Sequence, residues 1–301
     1  MARDTVLVTS GGGHQGKLLI PKLARSGFRV RAARRSLDKG DELRMLGAHE
    51  VFVGDLGDQE TYAEALADVD VLYHVGPGGV ANELEMGLGM LRAAKRAGVR
   101  HVVMSSVLHS IINILQHRYK RDIEEKLIES GLNFTILKPC DFMMPEVHVD
   151  PILNGTDYAI YWRVMPNRMG SLIDLQDLTD VALKVILEGS AHYGASYELS
   201  GPDKLTADDL VGTLSQIVGR KIRIVQKTPE ELFAVLWPTA DQAAEHRHEI
   251  EVLLSICAWY SELDFTGNPN VLRWLLGRPP TTFEQFARRT IAERRAGARD
   301  A

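Results

Sequence analysis

A dense group of glycines near the start of the chain has the composition of a phosphate-binding turn. The apolar run Val6-Leu7-Val8 leads into Thr9-Ser10-Gly11-Gly12-Gly13-His14-Gln15-Gly16, and the helix-forming run Lys17-Leu18-Leu19-Ile20 follows. Glycines let the backbone approach an anion, and a helix N-terminus offers unpaired N–H groups and the positive end of its dipole. The order of strand, glycine turn and helix therefore predicts a dinucleotide-binding loop, with a purely structural turn as the alternative.

Two arginines, Arg34 and Arg35, close the next predicted strand. An acidic residue at this place holds the ribose hydroxyls of NAD, whereas an arginine accommodates the 2′-phosphate of NADP. The planar guanidinium suits a phosphate and can also stack on adenine. The pattern favours NADP(H) over NAD, and the alternative is a pair of solvated surface arginines.

Lys120 stands at an apolar position of a predicted helix. Ile123 and Leu127 follow it at i+3 and i+7, so Lys120 begins the apolar stripe of that helix. A lysine in such a place needs a partner for its ammonium group, and a cofactor ribose or a substrate oxygen would serve. The alternative is a lysine that extends its ammonium group to solvent from the start of the helix.

Three further side chains, His109, His117 and Asp141, are candidate proton donors. A histidine exchanges protons near pH 7 without a large change of its pKa. Cys140 follows Pro139 at a predicted strand end, where packing as a small apolar residue is the expected role. The two cysteines of the chain have neither disulfide nor zinc spacing, and no metal site is predicted.

The elements that must position these side chains alternate between strands and helices in the first half of the chain. Strands are predicted over 5–8, 29–33, 50–53, 71–74, 101–104 and 133–137, and helices over 41–46, 60–67, 83–97 and 118–130. Repeated alternation implies right-handed crossovers and a parallel sheet covered by helices on both faces. The predicted fold class is α/β, a doubly wound parallel sheet of the Rossmann type.

The alternation loosens after Pro139. Residues 140–169 carry methionines and aromatic residues without clear periodicity, which is typical of a binding segment or lid; they are Met143, Met144, Tyr158, Tyr161, Trp162 and Met165. Helices are predicted over 175–187, 207–218, 230–236, 240–260 and 283–294. We predict a dinucleotide-binding domain over 1–150, completed by 171–200, and a smaller, mostly helical substrate lobe from 151–170 and 201–301.

Bulk properties exclude several classes of protein. The chain has 301 residues, 45% of them hydrophobic and 25% charged, which is an ordinary globular composition. Its formal charge of −5 disfavours nucleic-acid binding. No apolar run approaches the ~18–20 residues of a membrane helix. The first predicted strand begins by Thr5, and a reducing, cytoplasmic location is expected.

Several short motifs carry a resemblance over essentially the whole chain. They are Gly13-His14-Gln15-Gly16, Val30-Arg31-Ala32-Ala33-Arg34-Arg35, Val53-Gly54-Asp55-Leu56, Ser105-Ser106-Val107, Ile136-Leu137-Lys138-Pro139 with Phe142-Met143, and Arg278-Pro279-Pro280-Thr281-Thr282-Phe283. In their order and spacing the sequence resembles the NmrA-like type of atypical short-chain dehydrogenase/reductases. Each motif alone is loose, and the set together is fairly specific.

The resemblance implies a set of cofactor-binding residues and one catalytic candidate, Lys120. The cofactor-binding set is Ser10, Gly11, Gly13, His14, Gln15, Gly16, Arg34, Arg35, Asp55, Leu56, Gly76, Pro77, Ser105, Lys120 and Pro139. Asp55 and Leu56 would flank the adenine, although Asp55 also suits a simple turn, as does Gly76-Pro77. Ser10 departs from the family pattern, which has glycine there, and serine fits a tight turn comfortably only if its φ is negative.

The wider superfamily uses a Tyr-x-x-x-Lys pair, in which the tyrosine donates a proton. Gln116 stands four residues before Lys120 and has no useful acidity, and Tyr119 lies about 100° away around the helix. The leading hypothesis is an NADPH-dependent reductase of a small apolar or aromatic substrate. The alternative is a non-enzymatic regulator that senses NADP(H). A sugar-nucleotide epimerase ranks last because it needs the tyrosine, and a homodimer remains open.

Overall fold

The computed structural model describes residues 4–36, 40–160 and 168–297. The chain forms two compact units. The first comprises Met1–Pro139 and Leu175–Glu198, and the second comprises Cys140–Asp174 and Leu199–Ala301. The chain therefore leaves the first unit after Pro139, eleven residues before the predicted domain limit at residue 150.

The elements are numbered in chain order. The strands are β1 Thr5–Val8, β2 Arg29–Arg34, β3 Glu50–Val53, β4 Val71–Val75, β5 His101–Ser105, β6 Phe134–Pro139, β7 Asp141–Met143, β8 Tyr158–Ile160, β9 Gly170–Asp174, β10 Ala195–Leu199, β11 Lys204–Leu205 and β12 Ile224–Gln226. The helices are α1 His14–Arg25, α2 Gly40–Met45, α3 Tyr62–Ala65, α4 Glu83–Ala97, α5 Leu115–Glu129, α6 Pro145–His148, α7 Asp150–Leu153, α8 Leu175–Glu188, α9 Ala207–Val218, α10 Pro229–Leu236, α11 Ala240–Glu245, α12 Arg247–Glu262, α13 Asn270–Leu276 and α14 Phe283–Gly297.

The first unit is built on a seven-stranded sheet in the order β10-β6-β5-β4-β1-β2-β3. The pairings from β3 through β6 are all parallel. Every residue of β1 and β5 is buried, as expected when helices cover both faces of a parallel sheet. The strand order reverses between β1 and β4, the topological switch point at which such sheets bind ligands. The predicted doubly wound α/β fold is confirmed.

One core of the first unit lies between the sheet and α3, α4 and α5. Leu72, Met90 and Ile123 are almost completely buried in it, beside the ring of Tyr62. Full burial of one such side chain stabilises the fold by about 1.5–3 kcal/mol. This core fixes the two helices that follow the central strands β4 and β5.

The second unit has two small sheets, β11-β9-β7 and β12-β8. The expectation of irregular structure over residues 140–169 is wrong for residues 140–160, which contain β7, α6, α7 and β8. Met143 and Tyr158 pack in a hydrophobic core with α9 and α14, so they do not line a binding segment. Tyr161, Trp162 and Met165 lie outside the described residues.

One helix prediction needs correction in detail. The helix predicted over 240–260 is broken at His246, which ends α11 and precedes α12. A capping box at Thr239 starts the shorter helix, so the sequence carried a local start signal.

None of the helices in the described part of the chain is both long and apolar enough to cross a membrane.

Candidate functional site

The predicted cofactor residues of the first unit follow the carboxyl ends of its parallel strands. Ser10 to Gly16 follow β1, Arg34 ends β2 and Arg35 follows it, Asp55 and Leu56 follow β3, Gly76 and Pro77 follow β4, and Ser105 ends β5. The carboxyl ends of parallel strands lie at one edge of a sheet, and ligands of open α/β sheets bind there. The sequence motifs therefore share one edge of one sheet.

The glycine loop folds back on itself so closely that side chains are excluded at Gly11 and Gly16. A Cβ on Gly16 would lie 2.5 Å from the carbonyl oxygen of Gly11 and 2.7 Å from its Cα. A Cβ on Gly11 would meet that of Ala32 at 2.9 Å. Gly13 is the N-cap of α1, where no side chain caps the helix and the first turn carries no acidic residue. The N-terminal N–H groups of α1 thus meet no competing carboxylate from their own helix.

Ser10 adopts a left-handed backbone, with φ at 52°. The condition for a comfortable serine, a negative φ, is therefore not met at this position. The Ser10 hydroxyl donates a hydrogen bond to the carbonyl oxygen of Val75 at 2.9 Å, which ties the loop to the end of β4. The Gly13 amide also donates to the Ser10 carbonyl at 2.8 Å. These bonds offset the roughly 1–2 kcal/mol that a left-handed conformation costs an L-residue.

The loop is also tied to the end of β2, where the two arginines stand. The Gly11 amide donates to the Ala33 carbonyl at 2.8 Å. Arg34, the next residue, is half-buried at the last position of β2, and Arg35 is exposed. The backbone thus places two guanidinium-bearing residues directly beside the glycine loop.

Asp55 and Leu56 lie in the turn after β3. An oxygen of the Asp55 carboxylate accepts a hydrogen bond from the Gly57 amide at 2.8 Å, which closes a turn. The Leu56 carbonyl accepts the Tyr62 hydroxyl at 2.5 Å, and the Leu56 side chain packs against the core. Asp55 therefore already has a structural role as a turn residue, and it remains exposed.

Lys120 is buried on α5, and its partner is a carboxylate rather than solvent. Its Nζ lies 2.9 Å from Oε1 of Glu83, the first residue of α4, and the two side chains are 8% and 0% exposed. The other oxygen of Glu83 accepts the Gly79 amide at 2.7 Å. The Lys120 ammonium would lie 3.4 Å from a Cβ on Gly76. Of the predicted residues, Gly76 and Lys120 are therefore brought into direct proximity.

His74 lies beneath the same point of the sheet edge. It is buried near the end of β4, with Nδ1 3.5 Å from the Thr9 hydroxyl and Nε2 3.8 Å from a Cβ on Gly76. Burial, and then the charge of Lys120, lower the pKa of His74 to about 3. The imidazole is neutral at physiological pH, so it is no proton donor of the usual histidine kind.

A second buried ionic cluster lies where β5 and β6 end. Glu124 on α5 forms an ion pair with Lys138 at 2.7 Å and accepts hydrogen bonds from the hydroxyls of Ser106 and Ser110. Pro139 accepts the Leu108 amide at 2.8 Å through its carbonyl. This cluster ties the segment after β5 to the end of β6.

The other predicted proton donors are less suitable. His117 is buried with Nδ1 3.0 Å from the His109 carbonyl, and burial lowers its pKa. His109 itself is partly exposed and 3.6 Å from the Glu198 carboxylate. Cys140 is buried, which raises the pKa of its thiol to about 12 and fits the expected packing role. Asp141 belongs to the second unit, at the start of β7.

Sequence reasoning missed Glu83 and His74. The signal for Glu83 was present: a lysine at an apolar position needs a countercharge, and Glu83 opens the helix that follows the neighbouring strand. Helices α4 and α5 cover adjacent strands and pack on each other, so their first turns are close. Among residues 4–36, 40–160 and 168–297, no group of three or more His, Cys, Asp or Glu residues could hold a metal ion.

The family profile of the NmrA-like family matches residues 2–287 of the chain. The chain belongs to the NmrA-like family. An NAD(P)H azoreductase of Xenophilus azovorans is 26% identical over 292 residues, which cover 94% of this chain and 96% of the relative.

Two solved structures have the same fold. The triphenylmethane reductase of Citrobacter sp. in complex with NADP(H) superimposes with a TM-score of 0.77 at 20% identity, covering 95% of this chain and 99% of the other. NmrA, a negative transcriptional regulator, in complex with NADP has a TM-score of 0.76 at 19% identity, covering 99% of this chain and 98% of the other. A reductase and a regulator thus share the fold of this chain.

The residues present fit a bound dinucleotide. The close approach of Gly16 to Gly11 leaves a turn without side chains at the uncapped start of α1, as a diphosphate requires. Arg34 and Arg35 directly follow Ala33, which bonds to the loop, and Lys120 supplies a buried ammonium group beside Gly76.

Proposed function

We propose that the protein is an NADPH-dependent oxidoreductase that reduces a small apolar or aromatic substrate. The observation that carries this proposal is the glycine loop, in which a side chain at Gly16 would collide with the Gly11 backbone at 2.5 Å. Such a close turn at a helix start has a clear use in holding a diphosphate. The relative named as an NAD(P)H azoreductase supports the same class of reaction.

The preference for the phosphorylated dinucleotide rests on Arg34 and Arg35. The Gly11 amide donates a hydrogen bond to the Ala33 carbonyl, and Arg34 and Arg35 are the next two residues of the chain. A guanidinium can donate two parallel hydrogen bonds to a phosphate, and such charge-assisted bonds are about twice as strong as neutral ones. No carboxylate stands at the end of β2 to bind ribose hydroxyls instead.

Lys120 is the residue expected to act beside the reacting end of the cofactor. A bound nicotinamide supplies a hydride to the substrate. The Lys120 ammonium can donate hydrogen bonds and can hold a proton at Nζ, and its position near Gly76 is fixed by Glu83. His74 contributes a neutral imidazole under the same backbone, because burial keeps its pKa far below 7.

The substrate class rests on the relatives more than on the described side chains. The azoreductase and the triphenylmethane reductase are named for aromatic dyes. Met143 and Tyr158, two residues of the predicted binding segment, pack in the core of the second unit. An azo dye and a triphenylmethane dye are therefore the first substrates to test.

The test combines binding and turnover. Calorimetry with NADPH and NADH should give tighter binding of NADPH, and NADPH oxidation at 340 nm should rise above background with at least one acceptor of the panel. A chain that binds neither nucleotide would refute the proposed site. Tighter binding of NADH than of NADPH would refute only the role of Arg34 and Arg35 in recognising the 2′-phosphate.

A regulator that senses NADP(H) is the second candidate, and one observation favours it. Gln116 stands where the superfamily has its acidic tyrosine, and its amide would lie 3.1 Å from a Cβ on Gly78, near the end of β4. A sensor would bind NADPH and NADP⁺ with different affinities, change its oligomer size or partner binding between them, and oxidise no NADPH. Oxidation of NADPH by any acceptor at a physiologically useful rate would show that the protein is an enzyme and not only a sensor.

A further inference from the structure

Helices α4 and α5 approach each other closely through a glycine. A Cβ on Gly87 would lie 2.4 Å from Cδ1 and 2.7 Å from Cγ1 of Ile123, so a larger residue would require the Ile123 side chain to move. One helical turn earlier on each helix stand Glu83 and Lys120, which form the ion pair. The packing of the two helices therefore sets the distance between the carboxylate and the ammonium group.

The Glu83 carboxylate is hydrogen-bonded through one oxygen and forms an ion pair through the other. Its Oε2 accepts the Gly79 amide at 2.7 Å, and its Oε1 lies 2.9 Å from Lys120 Nζ. With its side chain fully buried, Glu83 has no bulk water to screen its charge. A buried carboxylate that is fixed by the backbone is a permanent countercharge for one ammonium group.

The other titratable groups around Lys120 are neutral or bound elsewhere. On β4, His74 is neutral because burial lowers its pKa to about 3. On α5 itself, Glu124 pairs with Lys138 at 2.7 Å, and His117 lies 3.0 Å from the His109 carbonyl. Glu83 is thus the group that balances the buried charge of Lys120.

The ammonium group faces the backbone that follows β4. Gly76 has no side chain between its backbone and Nζ, and a Cβ there would lie 3.4 Å from the nitrogen. A ligand along the carboxyl edge of the sheet would pass this glycine. The position of Nζ is therefore defined relative to the proposed cofactor path.

We propose that Glu83 is a positioning residue, which keeps Lys120 charged and fixed beside Gly76 so that the ammonium can donate a hydrogen bond to a hydroxyl of the bound dinucleotide. This inference rests on the proposed function. It assigns to the start of α4 a role that the glycine loop and the arginines do not require. Glu83 acts through Lys120 and touches no reacting atom.

The main test is Glu83→Gln, measured for NADPH binding by calorimetry between pH 5.5 and 8.5. The amide oxygen of the variant can still accept the Gly79 N–H, so the local turn is kept, but the negative charge is lost. A buried lysine without a countercharge loses its proton at a lower pH. We expect NADPH binding to weaken about tenfold or more at pH 8 and to recover toward the wild-type value at pH 5.5.

The matched control is Asp180→Asn, which removes the carboxylate partner of Lys22 on α1 and α8 of the same unit. This variant should follow the wild type at every pH, which accounts for titration of the nucleotide and of other groups. Binding by Glu83→Gln within twofold of wild type throughout, or a loss that is equal at every pH, would overturn the positioning role. Absence of NADPH binding by the wild type would instead refute the proposed function.

Glu83→Asp provides a second measurement if the glutamine variant does not fold. It keeps the charge but withdraws it from the ammonium by one methylene. We expect weaker NADPH binding and a lower kcat, with the same pH dependence as wild type. A folded aspartate variant with wild-type binding and kcat at every pH would overturn the proposal.

Discussion

Replacing Gly16 with alanine tests the glycine loop directly. The new Cβ would lie 2.5, 2.7 and 2.8 Å from the carbonyl oxygen, Cα and carbonyl carbon of Gly11. All three are backbone atoms, so no side-chain rotation can relieve the contact. The loop and the first turn of α1 must separate by roughly 0.5–0.9 Å to reach a tolerable contact. Overpacking of this kind costs about 1–3 kcal/mol.

The cost of Gly16→Ala falls on the geometry that binds the diphosphate. If all of this free energy opposes NADPH binding, the affinity for NADPH falls roughly 5- to 150-fold. Calorimetry measures the affinity, and thermal unfolding by circular dichroism shows how much of the cost reaches the fold. Gly212→Ala is the control, because a Cβ on Gly212 in α9 meets nothing within 4 Å. A folded Gly16→Ala protein that binds NADPH within twofold of wild type would refute the reasoning.

Four other outcomes are expected. Arg34→Ala combined with Arg35→Ala should weaken NADPH binding about tenfold or more and leave NADH binding unchanged, as measured by calorimetry; an equal loss for both nucleotides would exclude selective phosphate recognition. Lys120→Ala leaves a buried carboxylate unpaired and should lower the free energy of unfolding by about 3 kcal/mol, measured with urea; a smaller loss than 1 kcal/mol would contradict the buried pair. Burial lowers the pKa of His101 to about 4, so the unfolded chain binds a proton that the folded chain does not between pH 6.5 and 4. Stability conferred by the neutral ring is complete above pH 6.5 and should fall as the pH drops through this window, by at most about 1.4 kcal/mol per pH unit, and urea midpoints of His101→Gln should depend less on pH. Gly76→Ala places a methyl group 3.4 Å from the lysine nitrogen and should weaken NADPH binding without lowering Tm; unchanged binding would remove Gly76 from the cofactor path.

Much of the first unit could be predicted from the sequence because its signals are local. The strand predicted over 5–8 matches β1, and the one over 50–53 matches β3. Their apolar runs are short, and each is followed by turn residues and a helical segment, the pattern of a buried parallel strand. The glycine loop was predictable for the same reason, since its chemistry lies in consecutive residues.

The contacts of Lys120 and Ser10 were not predictable from local patterns. The lysine's partner lies 37 positions earlier, and only the packing of α4 on α5 brings Glu83 within 2.9 Å. The left-handed backbone of Ser10 is stabilised by the hydrogen bond from its hydroxyl to the Val75 carbonyl. The conformational preference of serine alone does not predict this contact. Tertiary contacts override the local preference at both positions.

The prediction for the segment after Pro139 was wrong for a different reason. Its elements are short: β7 and β8 have three residues each, and α6 and α7 have four. A period of 2.0 or 3.6 residues cannot be recognised in so few positions. Their stability comes from the core that they share with α9 and α14, which sequence periodicity does not show.

Helix α5 is anchored at two adjacent turns by charges of opposite sign. Lys120 is bound to α4, and Glu124, four residues later, is bound to Lys138 on β6. Any rotation or sliding of this helix would separate both charges from their partners at once, in a largely buried region. We therefore expect α5 to move little within the first unit and its amide hydrogens to exchange only on global unfolding.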